Sequence, residues 1–254
     1  MGTSRHQWVA FDRLEEGAAY LHQCNMHFAD APSERWPTTA VIGMAFEACR
    51  KNGLPTPAEY DRALKIETVL RNAMEKSAHA VHLATITGDG GRMWIFQCKT
   101  ASATERRLAA LPARIRDPLT CHQQNDPDWT LYFESLLPTE LESMRYNNSC
   151  VLAAMAESGD NPRRARPIEH LAYFPTAAAR KKFQSWAKRG GFTIDESPAP
   201  DSDATDDLPF RLFFSMKSKA DLDAITDQTH RCAVAARTCG GMYDGWESAI
   251  VPKK

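Results

Sequence analysis

Gly240-Gly241-Met242-Tyr243-Asp244-Gly245-Trp246-Glu247-Ser248-Ala249-Ile250-Val251 closes a long helical pattern that runs from Ser218 to Cys239. Glycine lacks a Cβ and takes left-handed cap conformations freely, so Gly240-Gly241 reads as a helix stop and the residues after it as a short terminal strand. On that strand Tyr243 and Trp246 are expected to pack on the helix face of a sheet and to serve folding more than contact. Working back from this end, Arg166 to Phe174 is a strand, and Thr176 caps a helix to Arg189 that buries Ala179, Phe183 and Trp186. Phe192 to Glu196 and Phe210 to Phe214 are two further strands. Ser218 with Asp221 forms a Ser-x-x-Asp pair that opens the last helix, on which Leu222, Ile225, Thr229, Cys232, Ala233 and Ala236 recur at helical spacing.

The front half gives the same order. Strand-like runs lie at 7–11, 19–25 and 39–46, short and rich in β-branched or aromatic residues. Asn52-Gly53-Leu54-Pro55-Thr56-Pro57 is a turn into a helix from Ala58 to about Lys76, whose Tyr60, Ala63, Leu64, Leu70, Ala73 and Met74 share a face. His79 to Thr87 and Met93 to Cys98 read as strands around Gly88-Asp89-Gly90-Gly91, followed by a helix at 102–111 and a strand near 119–123. Asp126-Pro127-Asp128-Trp129 and Leu137-Pro138-Thr139-Glu140 read as a junction, where Trp129 and Tyr132 are expected to pack two domains together. Glu140 to Ser158 is helical in pattern, with Asn147-Asn148-Ser149 as a point of interruption. Each half is thus a split βαβ unit, and the fold class expected is α+β: two tandem ferredoxin-like (βαββαβ) domains, 1–138 and 139–254, with antiparallel sheets and helices on one face.

The Gly-x-Tyr-Asp-Gly-Trp-Glu strand after its helix, together with Gly159-Asp160, the strand end His170-Leu171-Ala172-Tyr173-Phe174 and Gly190-Gly191-Phe192, resembles the RraB-type regulators of ribonuclease activity over roughly residues 147–254. That resemblance implies a protein that binds an RNase E-type endoribonuclease and restrains it without catalysing a reaction. The Trp8 strand, the Asn52-Gly53-Leu54-Pro55 turn and Asp126-Pro127-Asp128-Trp129 resemble the domain of unknown function (DUF695-like) that is sometimes fused ahead of an RraB-like domain.

Composition narrows the alternatives. A hydrophobic fraction of 43% in 254 residues supplies ample cores, and no run approaches the 18 apolar residues of a membrane span. A net charge of -1, with no strong basic excess in either half, is not that of a dedicated nucleic-acid binder, so direct nucleic-acid binding is not expected. Seven cysteines without a Cys-x-x-Cys pair fit reduced thiols in a cytoplasm rather than a disulfide framework or zinc knuckle. His79 and His82, three apart on one strand, would point to opposite faces and not share an ion. Cys121-His122 and the pair Cys232 and Cys239 read as packing. No Gly-x-Ser-x-Gly elbow or phosphate-binding Gly-x-x-x-x-Gly-Lys loop is present, so no enzyme, cofactor or metal is expected.

The basic groups Arg163-Arg164-Ala165-Arg166 and Arg180-Lys181-Lys182 with Lys188-Arg189 are read as solvated faces, the latter complementing a helix dipole. Asp195 to Asp207 is acidic and carries two prolines; its Asp201, Asp203, Asp206 and Asp207 could steer a basic partner. These four, with Tyr243, Asp244 and Trp246, are the candidate binding residues for a protein partner. The competing reading is a small-molecule or RNA-binding module.

Overall fold

The computed structural model describes residues 8–15, 17–195 and 207–252. The chain separates into two units, Met1–Ser143 and Met144–Lys254. No helix among the described residues is long and apolar enough to cross a membrane.

Unit 1 runs β1 (Trp8–Glu15), β2 (Ala18–Asn25), β3 (Thr38–Ala45), α1 (Pro57–Glu75), β4 (Ala80–Gly88), β5 (Gly91–Cys98), α2 (Ala101–Ala109), α3 (Ala113–Arg116) and β6 (Leu119–Asn125). The strands form one antiparallel sheet in the order β1-β2-β4-β5-β3-β6. Without the leading β1–β2 hairpin, the order is strand-helix-strand-strand-helix-strand, with the first and third of those four strands in the centre. Thr56 and Thr100 cap α1 and α2 by accepting from the amides of Glu59 and Ala103. Ala40, Ile42, Met44, Trp94 and Phe96 project from one face of the sheet onto Ala63, Ile66, Leu70 and Met74 of α1. The face of α1 differs from the sequence expectation: Leu64 is exposed, while Ile66 and Glu59 are buried. Glu59 is held there by Arg62 and the amide of Glu47.

The opposite face of the same sheet is apolar too, with Phe11, Cys24, Leu83, Ala84 and Ile95. It is covered by Trp129, Tyr132 and Leu136, the last two on a single π-helical turn, Tyr132–Leu136. The stretch read as an interdomain junction is therefore part of the core of unit 1. A sheet with two apolar faces needs two covers, and the helices supply only one. Asp126 fixes the turn into this segment by accepting from the Thr39 hydroxyl and the Thr130 amide. The Tyr132 hydroxyl donates to the Asn25 carbonyl at 2.6 Å, and the Trp129 indole to the Trp36 carbonyl at 3.0 Å.

His79 lies just before β4 rather than on it, and its Nε2 sits 3.0 Å from the Thr104 hydroxyl. His82 is on β4, stacked on Phe96. Both rings are buried.

Unit 2 comprises most of α4 (Glu140–Glu157), then β7 (Arg166–Phe174), α5 (Ala177–Arg189), β8 (Thr193–Asp195), β9 (Phe210–Ser218), α6 (Leu222–Thr238) and β10 (Met242–Glu247). Its antiparallel sheet has the order β10-β7-β9-β8, again with the first and third strands central. Ala172, Phe174, Leu212 and Phe214 meet Phe183 and Ala187 of α5 and Cys232 and Ala236 of α6. Asn147-Asn148-Ser149 does not interrupt α4, because the buried Asn148 amide finds partners off the helix, donating to the hydroxyls of Thr226 and Thr229. The cap of α6 is Asp221 alone, accepting from the Ala224 amide at 3.0 Å. Ser218 is instead the last residue of β9, paired with Arg166 across the sheet, and so cannot also begin the helix.

Gly159-Asp160 has a structural task. Asp160 and Arg166 form a buried two-pronged ion pair. The pair also holds the chain end, since Asp160 accepts from the Val251 amide at 2.8 Å and Arg166 donates to the Ala249 carbonyl at 3.3 Å.

Candidate protein-binding surface

Among the described residues, the last strand β10 is an edge strand paired only with β7. Tyr243 lies opposite Ala172 and Trp246 opposite His170, so two aromatic residues three apart on β10 face residues two apart on β7. The register shifts between Tyr243 and Gly245, and the bulge inserts one extra residue. Without it, an odd separation would put the two rings on opposite faces of the sheet. Gly245 takes φ +154 here, a conformation that side chains rarely adopt. Gly241, just upstream, passes so close to β7 that an added Cβ would lie 2.4 Å from the Tyr173 carbonyl oxygen. The Tyr-Asp-Gly-Trp motif is thus a device for turning both aromatics inward.

Inside, the Tyr243 hydroxyl is 2.8 Å from His170 Nδ1, and the His170 ring stacks on Phe214 with Phe192 at its edge. Burial pushes the His170 pKa down to about 4, against the opposing pull of Gln228, so the ring is neutral at physiological pH. Burial likewise raises the Tyr243 phenol above its ordinary value. Trp246 donates from Nε1 to Asn148 Oδ1 at 2.8 Å and packs against the cluster of Met155, Ile168 and Ile225. Trp246→Ala is expected to cost unit 2 about 2–3 kcal/mol, below the range for a fully buried Trp because this ring is only half-buried. A thermal melt reads the loss; an unchanged midpoint would show that the ring contributes nothing to folding.

Of the other candidate residues, Asp244 is the extra residue of the bulge and is exposed, and Asp207 is exposed in the turn before β9. Asp201, Asp203 and Asp206 fall outside the described residues. The register brings the first residues of β9 and β10 to the same end of the sheet, Phe210 opposite Phe174 and Met242 opposite Tyr173, but on either side of β7. The strand that follows Asp207 and the strand that carries Asp244 therefore flank β7 on opposite sides. A residue pair absent from the sequence reading is Glu247 directly opposite Glu169, both exposed. Like charges facing each other across a ladder destabilise it and give this edge, with Asp244, a negative surface.

On the helix side, α5 and α6 flank a groove of about 450 Å³ lined by Lys182, Trp186, Arg189, His230, Arg231 and Val234 among others. The α6 residues were not singled out in the sequence; His230, Arg231 and Val234 stand far from Lys182 along the chain, and only the helix pairing brings them together.

Three of the thiols are packed in the cores. Burial pushes the thiols of Cys24, Cys98 and Cys232 up to about 12, so none is a thiolate near neutrality. Among the described residues no three of His, Cys, Asp and Glu gather to hold a metal ion.

Comparison with known proteins assigns both halves. Residues 6–137 match a family of unknown function (DUF695), and residues 145–248 match the family described as regulator of ribonuclease activity B (RraB). No curated protein matches this chain. A crystal structure of an unknown protein from Galdieria sulphuraria aligns over 84% of this chain and 99% of its own, at 11% identity and a TM-score of 0.20, too low to bear on the fold.

Proposed function

The chain belongs to the DUF695 family of unknown function, and from that premise we propose that its RraB-matching half acts as a non-enzymatic, protein-binding regulator of an RNase E-type endoribonuclease in the cytoplasm. The observation that carries this reading is the match of residues 145–248 to the ribonuclease regulators. We take the two halves as ferredoxin-like domains, 1–138 and 139–254, a reading supported by the strand order each sheet adopts. Tyr243 and Trp246 would act by holding the edge strand in place, Asp244 by direct contact. Asp201, Asp203, Asp206 and Asp207 would raise the rate of encounter with a basic segment, since exposed charges steer association more than they hold a complex.

The test is RNA cleavage by a purified RNase E-type endoribonuclease with and without the full chain, alongside measured association and dissociation rates. Cleavage should slow on addition of the chain. Changing the four aspartates to asparagine should slow association at low salt and leave dissociation nearly unchanged, because the Debye length is only about 8 Å at physiological ionic strength. Absence of binding would refute the regulatory reading; unaltered association would refute the steering role of the aspartates.

A further inference from the structure

We infer that the groove between α5 and α6 is a docking site for an acidic amphipathic helix of a protein partner. The inference concerns a different face of unit 2 from the β10 edge and does not depend on the ribonuclease reading.

The groove joins an apolar floor to a cationic rim. Lys182, Trp186 and Arg189 follow one another at four- and three-residue steps on α5 and so form one stripe. Arg231 and Val234 stand at a three-residue step on α6 opposite them. Trp186 is half-buried and Val234 is 44% exposed, which leaves apolar surface open to solvent between the cations.

Among the described residues, the rim cations are not paired across the groove. α5 contains no acidic residue. Among the described residues, neither Lys182 nor Arg189 has an ion-pair partner, and Arg231 pairs only with Asp227 on its own helix, at 3.3 Å. Complementing a helix dipole accounts for Arg189 in the last turn of α5, but not for Lys182, two turns earlier.

The spacing specifies the occupant. Lys182 and Arg189 are separated by two turns, about 10 Å of helix rise. A helix lying along the groove would meet them with carboxylates at positions i and i+7, and would set apolar side chains at i+3 and i+4 against Trp186 and Val234. Nucleic acid fits less well. Binding of unpaired bases needs several stacking faces along a charged track, and among the described residues this groove offers two, the Trp186 indole and the His230 imidazole, on different helices.

The test measures binding of the full chain to a labelled alanine-rich peptide of about four turns with Glu at i and i+7 and Leu at i+3 and i+4. Fluorescence anisotropy should show saturable binding. K182E with R189E, and separately V234D, should each weaken it by at least about tenfold. These side chains are exposed, so the melting temperature should hold, and melts of each variant verify this. A scrambled peptide of the same composition should bind about tenfold more weakly. No saturable binding, equal affinity for the scrambled peptide, or tighter binding of a single-stranded RNA oligonucleotide at the same residues would each overturn the inference.

Discussion

Replacing Trp129 with alanine is expected to lower the stability of unit 1 by about 3–5 kcal/mol, the range for removing a fully buried aromatic side chain from a core. Trp129 has no exposed surface and is among the largest buried side chains of the chain. It stands in an aromatic cluster, 5.2 Å from Phe28, 6.0 Å from Tyr132 and 6.4 Å from Trp36 between ring centroids. Its indole also satisfies the Trp36 carbonyl, which the substitution would leave without that donor. The backbone there has φ +56, a conformation unfavourable to residues with a Cβ, so alanine gains no relief from the change. Equilibrium denaturation of the full chain, followed by near-UV circular dichroism, measures the effect. A loss below about 1 kcal/mol would mean that the second face of the sheet does not depend on this cover.

The sequence misassigned this residue for a physical reason. Prolines and polar residues on both sides of Trp129 and Tyr132 break any helical or strand period, and a break in period looks the same whether it leads out of a domain or folds back over a sheet. What decides between them is the second apolar face, made by Phe11, Cys24, Leu83 and Ile95, and those residues become a face only once β1, β2, β4 and β5 are paired. Local chemistry was legible where it is self-contained. β7 has the bounds read from its residues, Arg166–Phe174, and Thr176 caps α5 as expected. The Ser218 expectation failed because the sheet ladder claimed Ser218 first, which left Asp221 as the cap.

The candidate surface was legible in the same uneven way. The Tyr-Asp-Gly-Trp motif announces a terminal strand, yet a regular strand would send Tyr243 and Trp246 to opposite faces, and only the bulge at Asp244-Gly245 reconciles the two. The Glu169–Glu247 pair and the α5–α6 groove depend on segments far apart in the chain, so no window of sequence contains either.

Acid should destabilise unit 1 through His82 more than through any exposed carboxylate. The ring is buried between Phe96, at 4.7 Å, and Trp8, at 5.0 Å, with Nε2 3.0 Å from the Ala84 carbonyl oxygen and 3.1 Å from the Thr85 hydroxyl. Burial pushes its pKa down to about 3; Arg71 and Arg92 add to the depression, and Glu67 and the Ala84 carbonyl oppose it. Glu67 is itself committed to Arg92 and Trp94, at 2.6 and 2.8 Å, and those contacts outweigh its burial to hold it below the usual carboxylate range. In the unfolded chain the histidine has its ordinary pKa near 6.5. Between these two values the unfolded state takes up a proton that the folded state refuses, so stability is complete above about pH 6.5 and falls with pH until the folded ring titrates near 3. At 1.36 kcal/mol per unit, the loss approaches about 3 kcal/mol by pH ~4. Denaturant titrations at pH ~7 and pH ~4, read by tryptophan emission, should show it. Because His22, His79 and His170 are shifted in the same direction, the diagnostic quantity is the difference from His82→Gln, which removes the titrating ring but keeps a hydrogen-bond donor. That variant should start less stable at neutral pH and lose about 3 kcal/mol less on acidification. Parallel losses in the two proteins would mean that the folded ring takes up its proton as readily as the unfolded one, and that the enclosure by Trp8 and Phe96 does not hold it neutral.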